Sequence, residues 1–142
     1  MTAVPKTVRM PQDVLAPLEE ECRRTGRDFS TVVNDRLREA ERIRRIPGIT
    51  FVDSPSGGRV ARVAGTGLEV FEVLQAYRSV DNSWPRLQQA FDQLSDNQLR
   101  AALAYADAYP EEIEEHIRRD EQWTQEAVWE RYPFMRPDRG EG

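Results

Sequence analysis

His116 and Cys22 are the only histidine and cysteine among 142 residues, and they limit the chemistry open to this chain. A structural or catalytic zinc site draws on several Cys or His ligands, and no such set exists here. His116 lies in Glu114-Glu115-His116-Ile117-Arg118, which reads as the solvated face of a charged helix rather than as a base beside a nucleophile. Gly65-Thr66-Gly67 is followed by neither the lysine nor the spacing of a phosphate-binding loop. The carboxylates sit in charged helical stretches, where solvation is their ordinary role. The expectation is a protein that is not an enzyme and needs no metal or cofactor. Two other groups of residues have chemistry to offer. Lys6, Thr7 and Arg9 can meet a polyanion, and Trp123, Trp129, Arg131, Tyr132, Phe134 and Arg136 have the make-up of interface anchors.

Charge supports that division. The whole chain carries −5, with 39% hydrophobic and 32% charged residues. By segment, residues 1–46 hold 10 basic and 8 acidic side chains, residues 47–109 hold 5 and 7, and residues 110–142 hold 5 and 10. A net +2 head thus precedes segments of −2 and −5, the pattern of a polyanion-binding module joined to a partner-binding one. No apolar run approaches the length of a membrane span, and the N-terminus lacks the apolar core of a signal peptide. One cysteine cannot make an internal disulfide. A cytoplasmic protein without a membrane partner is the expectation.

The elements that must position these residues can be read from periodicity. Between Pro5 and Pro11, Val8 and Met10 alternate with Thr7 and Arg9, the period of a half-buried strand. Val14, Leu15, Leu18 and Cys22 then recur at helical spacing, with Gly26 as a stop and Pro17 as a misfit. Ser30 and Thr31 are expected to cap a second helix whose apolar face is Val33, Leu37, Ala40 and Ile43, and Pro47-Gly48 ends it. One strand and two helices bury too little to fold alone. A second copy, with the strands pairing antiparallel across a twofold axis, is the simplest remedy.

Lys6-Thr7-Val8-Arg9-Met10-Pro11, Val14-Leu15, Leu18, Gly26-Arg27, Phe29-Ser30 and Val33 to Leu37 resemble the ribbon-helix-helix family of MetJ/Arc/CopG-type DNA-binding dimers. The resemblance implies that the paired strands enter the major groove and that the outward side chains, Thr7 and Arg9 by position, read base edges. It further implies that the start of the second helix, with Ser30 and Thr31, faces a phosphate. Pro5 holds the preceding outward position and cannot donate.

Ile49-Thr50-Phe51-Val52 and Arg59-Val60-Ala61-Arg62-Val63 form a hairpin signal around a loop. Helices follow, with Val70, Phe71, Val73, Leu74 and Tyr77 inward, then Leu87, Ala90 and Phe91 after a Ser83 cap. After a Ser95 cap come Leu99, Ala102, Leu103 and Ala106. Pro110 interrupts or restarts the last of these, and Ile113 and Ile117 continue the stripe. Pro47-Gly48-Ile49, Asp53, Gly57-Gly58-Arg59, Val63, Gly65-Thr66, Leu94-Ser95, Gln98-Leu99, Ala101-Ala102-Leu103-Ala104-Tyr105 and Pro110-Glu111-Glu112-Ile113 resemble domain-of-unknown-function family 433, a VapB-like antitoxin helix-turn-helix module. Gly67-Leu68 departs from the Arg-Ile that commonly follows Gly-Thr there. A second DNA-reading helix at Ser95–Asp107, exposing Asp96, Asn97, Gln98 and Arg100, is weakly cationic. A protein-interaction or dimer-extending role is therefore favoured over a second DNA reader.

Taken together, the expected architecture is mostly α with short strands, an N-terminal ribbon-helix-helix dimer plus a hairpin and helix-turn-helix bundle. The expected domains are residues 1–46 for DNA binding and dimerisation, 47–121 for the antitoxin-like module, and 122–142 for an aromatic tail. The resemblances imply an autorepressing antitoxin that binds operator DNA as a homodimer, with a dimer of dimers left open. They also imply capture of a PIN-like ribonuclease toxin, with Arg131 and Arg136 as candidates to reach its acidic site. A stand-alone regulator with a sensor or oligomerisation module, and a small enzyme using carboxylates near the Gly-rich hairpin, are the alternatives.

Overall fold

The computed structural model describes residues 3–54 and 58–137, apart from the side chains of Trp123 and Thr124. The molecule is mostly helical with one short two-stranded antiparallel sheet. It divides into two compact units, Met1–Arg44 and Arg45–Gly142. Among the described residues, no helix is long and apolar enough to cross a membrane.

In the first unit, residues 3–11 run as coil, and helices α1 (Gln12–Thr25) and α2 (Phe29–Arg45) follow. The strand expected at Pro5–Pro11 is not formed within this chain. A strand needs a ladder partner for its N–H and C=O groups, and within this unit both following elements are helices. Pro11 precedes α1 and its carbonyl accepts from Val14 and Leu15, each at 3.0 Å. Pro17 is taken inside the helix, so α1 spans its range despite the donor that proline lacks. Gly26 ends it with φ +70. Asp28, rather than Ser30 or Thr31, caps α2. Its carboxylate accepts from the Ser30 N–H at 3.3 Å and the Thr31 hydroxyl at 3.0 Å, and its carbonyl accepts from the Val32 N–H at 3.1 Å. Salt bridges join the two helices and the turn between them, Arg36 to Glu21 at 2.9 Å and Arg27 to Asp35. Val32 is the one buried residue among the described residues of this unit.

The second unit opens on the hairpin β1 (Ile49–Asp53) and β2 (Arg59–Val63), in register from Ile49 opposite Val63 to Asp53 opposite Arg59. Gly48 precedes it with φ +102, and a Cβ there would stand 3.2 Å from the Ala101 Cβ. Backbone conformation and close approach both call for glycine. Its carbonyl accepts from the Ala64 N–H at 2.8 Å, which ties the two ends of the hairpin. Thr66 holds the following turn, donating its hydroxyl to Val63 O at 2.8 Å and accepting from the Leu68 N–H at 3.0 Å.

Of the helices α3 (Val70–Ser79), α4 (Trp84–Ala90), α5 (Asp96–Ala108) and α6 (Pro110–Arg131), α3 and α5 pack against the hairpin, α4 packs on α3, and α6 packs on α3 and α5; a short 3-10 turn, Pro133–Met135, follows. Asp81 and Asn82, both at φ 55, turn the chain between α3 and α4. These are residue types that tolerate the left-handed region. One apolar cluster joins Ile49, Ala61, Val70, Phe71, Tyr105, Ile113 and Ile117. A second joins Val63, Val73, Leu87, Leu99 and Ala102. Ala90, expected inward, is exposed at the end of the seven-residue α4.

Ser83 and Ser95 cap α4 and α5 as their positions imply. Ser95 accepts from the Gln98 N–H at 3.1 Å while the Gln98 side chain accepts from the Ser95 N–H at 2.8 Å, a reciprocal capping box. Ser95→Ala is expected to cost about 1 kcal/mol, read as a lower denaturation midpoint at unchanged m-value; an unchanged midpoint would show the box to be dispensable.

Candidate functional site

The first unit leaves its apolar residues open. Leu37 is 59% exposed, Val14 46% and Val8 68%, and Ile43 and Phe29 are also solvent-facing. Val8, Met10, Val14, Leu18, Val33 and Leu37 line a groove of about 650 Å³, with Arg9 and Arg36 at its edge. The spacing of Phe29, Val33 and Leu37 makes this face continuous along α2. A monomer gains nothing from such a stripe, since exposed apolar patches of this kind mark association surfaces.

Lys6, Thr7 and Arg9 are all exposed on the coil that borders the groove. Ser30 and Thr31 are exposed at the start of α2, but the Asp28 carboxylate already takes the Ser30 N–H and the Thr31 hydroxyl. The place expected to attract a phosphate is thus filled by an anion of the chain itself. Sequence reasoning missed this residue, although an Asp directly before an apolar helix start is a capping signal.

On the α5 face considered for DNA reading, Gln98, Asp96 and Arg100 make contacts within the fold. Gln98 is half-buried, closes the capping box and approaches Ala64 O at 3.4 Å. Asp96 accepts from Gln88 at 2.8 Å, and the Arg100 guanidinium lies 5.2 Å from the centre of the Trp84 ring.

α6 is fixed to α3 by Ile113 and Ile117 in the core, by the Arg78–Glu114 ion pair and by Gln75, which donates to Asp120 at 3.4 Å. The hydrogen bond from Arg78 holds the Glu114 carboxyl below its ordinary value. His116 is not the solvated residue its charged neighbours imply. It is half-buried, its ring stands edge-on to Phe71 at 6.2 Å, and its Nδ1 is enclosed without a hydrogen-bond partner. The α3–α6 packing that places it joins residues 45 positions apart and leaves no local trace in the sequence.

Beyond Asp120, α6 continues without a break to Arg131, through the boundary expected at residue 121. Trp129 is half-buried, with the Arg136 guanidinium 5.6 Å from its ring centre. Tyr132 and Phe134 meet edge to face at 5.9 Å, and Phe134 is 83% exposed. Arg131 is exposed. The side chain of Trp123 lies outside the described residues. Asp120, Glu121, Gln125, Val128 and Trp129 line a groove of about 550 Å³. Among the described residues, no group of three or more His, Cys, Asp or Glu is placed to hold a metal ion.

Comparison with protein-family models, with curated proteins and with solved structures found no match to this chain.

One carboxylate in this unit is displaced upward. Burial, then Glu69 and Asp120, raise the Glu72 pKa above its ordinary value, and Arg62 only partly offsets them. A carboxyl with a raised folded-state pKa weakens the fold when ionised, and that penalty disappears as pH falls below the unfolded value. Glu72→Gln is therefore expected to raise the unfolding temperature at neutral pH, with the gain vanishing below about pH 4. A gain that persists undiminished in acid would assign the effect to something other than ionisation.

Proposed function

We propose that this chain is the antitoxin of a type II toxin–antitoxin pair, a DNA-binding autorepressor that acts as a homodimer. The observation that carries the reading is the open groove of the first unit, bordered by the coil that exposes Lys6, Thr7 and Arg9. A second copy laid on Val8, Met10, Val14, Leu18, Val33 and Leu37 covers the groove. It also gives residues 7–10 the ladder partner they lack in one chain. Two antiparallel copies then carry Thr7 and Arg9 outward as a two-stranded ribbon, which fits the major groove. Arg9 suits guanine O6 and N7 in a bidentate fork. Lys6 neutralises phosphate, and Ser30 and Thr31 contribute where Asp28 leaves them capacity.

The second unit serves the partner. Asp96, Gln98 and Arg100 of α5 make contacts within the fold, which favours protein interaction over a second DNA reader. The end of α6 and the turn after it present Tyr132, Phe134, Arg131 and Arg136 toward solvent, with Trp129 beneath Arg136. Aromatic and arginine side chains of this kind anchor protein interfaces. The resemblance to VapB-like antitoxins supports a PIN-like ribonuclease as the captured protein.

Two measurements test this reading. Arg9→Ala is expected to weaken binding to the DNA upstream of its own reading frame by about 1–3 kcal/mol and to relax specificity at one position. Unchanged affinity in an anisotropy titration removes Arg9 from the interface. Leu37→Glu on a solvent-facing helix position of a monomer costs within about 0.5 kcal/mol, whereas at a dimer interface it buries a charge. Sedimentation is therefore expected to show a monomer for the variant and a dimer for the parent chain; identical masses for the two overturn the proposed dimer face.

A further inference from the structure

The net +2 of residues 1–46 has one location. Residues 1–11 hold 2 basic side chains, Lys6 and Arg9, and no acidic one, while residues 12–46 hold 8 basic and 8 acidic. The excess is therefore those two residues. Both are exposed on the coil, and among the described residues neither makes an ion pair. The arginines of α1 and α2 are in the opposite state. Arg23 stands 2.6 Å from Glu20, and Arg24 and Arg36 stand 3.8 and 2.9 Å from Glu21. Asp35 takes both Arg27 and Arg38, the latter at 3.1 Å, and Arg44 lies 4.0 Å from Glu41. These pairs are exposed and individually weak. An arginine that left one for a phosphate would still leave its carboxylate beside the polyanion, so the helices bring no net attraction. Their starts, where a helix dipole draws anions, carry acids as well. Asp13 lies in the first turn of α1, and Asp28 holds the Ser30 N–H and the Thr31 hydroxyl at the start of α2.

We infer that polyanion contact by the first unit is confined to the coil, with Lys6 and Arg9 supplying its electrostatic attraction and the two helices acting as a neutral body. The confinement rests on the proposed function for its partner, DNA, and for the two copies that share the contact. A dimer then brings four side-chain cations to the duplex. At about 0.9 of slope per phosphate neutralised, log affinity falls against log salt with a slope of about −4. That is about a hundredfold loss between about 50 and 200 mM salt, less than the thousandfold or more of proteins that make roughly six to ten phosphate contacts. Attraction this weak holds non-specific duplex poorly and leaves discrimination to the base contacts of Thr7 and Arg9.

Anisotropy titrations of the full chain across that salt range test this, with two duplexes of equal length, one from upstream of its own reading frame and one of random sequence. Lys6→Gln is expected to make the slope shallower by about 2, one cation from each chain. Arg38→Gln removes the same charge from α2, leaves Asp35 with Arg27, and is expected to leave the slope as it is. A Lys6→Gln slope equal to the parent's, or equal flattening by the two variants, overturns the confinement while leaving the DNA-binding reading intact. Equal affinity of the parent for both duplexes, with the contrast between the two variants preserved, supports the confinement and overturns the autorepressor. Failure of the parent to bind either duplex overturns both.

Discussion

Two helices cannot bury the apolar face that the first unit carries, and the open groove along them follows from that shortfall. Among its described residues Val32 alone is enclosed, while Val8, Val14 and Leu37 stay open to solvent. The ion pairs between Glu21 and Arg36 and between Arg27 and Asp35 fix the helices to each other but exclude no water from the groove. Exposed pairs of this kind contribute little stability. In the proposed function, a second copy would complete this surface and pair with the coil that exposes Thr7 and Arg9.

The second unit has no such shortfall. Its hairpin and four helices enclose Val63, Val70, Val73, Leu87, Leu99, Tyr105 and Ile113 almost completely. The end of α6 carries acidic and basic side chains together with the exposed Val128. The molecule thus has a first unit with open apolar residues and a second whose core is closed.

Much of the second unit was legible locally. Ser83 and Ser95 stand at helix starts with the residues that caps require, Ser95 has Gln98 three residues on, and the hairpin runs lie within a residue of the strands. Pro110 restarts a helix in the only turn where its missing donor costs nothing. The failures have different causes. His116 and the Glu72–Asp120 approach depend on α3 meeting α6, which periodicity within either helix does not contain. Asp28 is masked in the sequence by Ser30 and Thr31, which offer the same capping chemistry two and three residues later. The strand at residues 7–10 was legible only as a pattern, since its formation depends on a ladder that one chain does not supply.

Amide hydrogen exchange at Thr7, Val8 and Arg9, followed by NMR across a range of protein concentrations, bears most directly on the completed dimer. These residues are coil in the single chain, so only pairing with another copy slows their exchange. Protection that rises with concentration and reaches the level of the α2 amides is the predicted result. Exchange at the rate of an unstructured peptide at every concentration, with α2 protected, would contradict the ribbon and with it the DNA-binding surface.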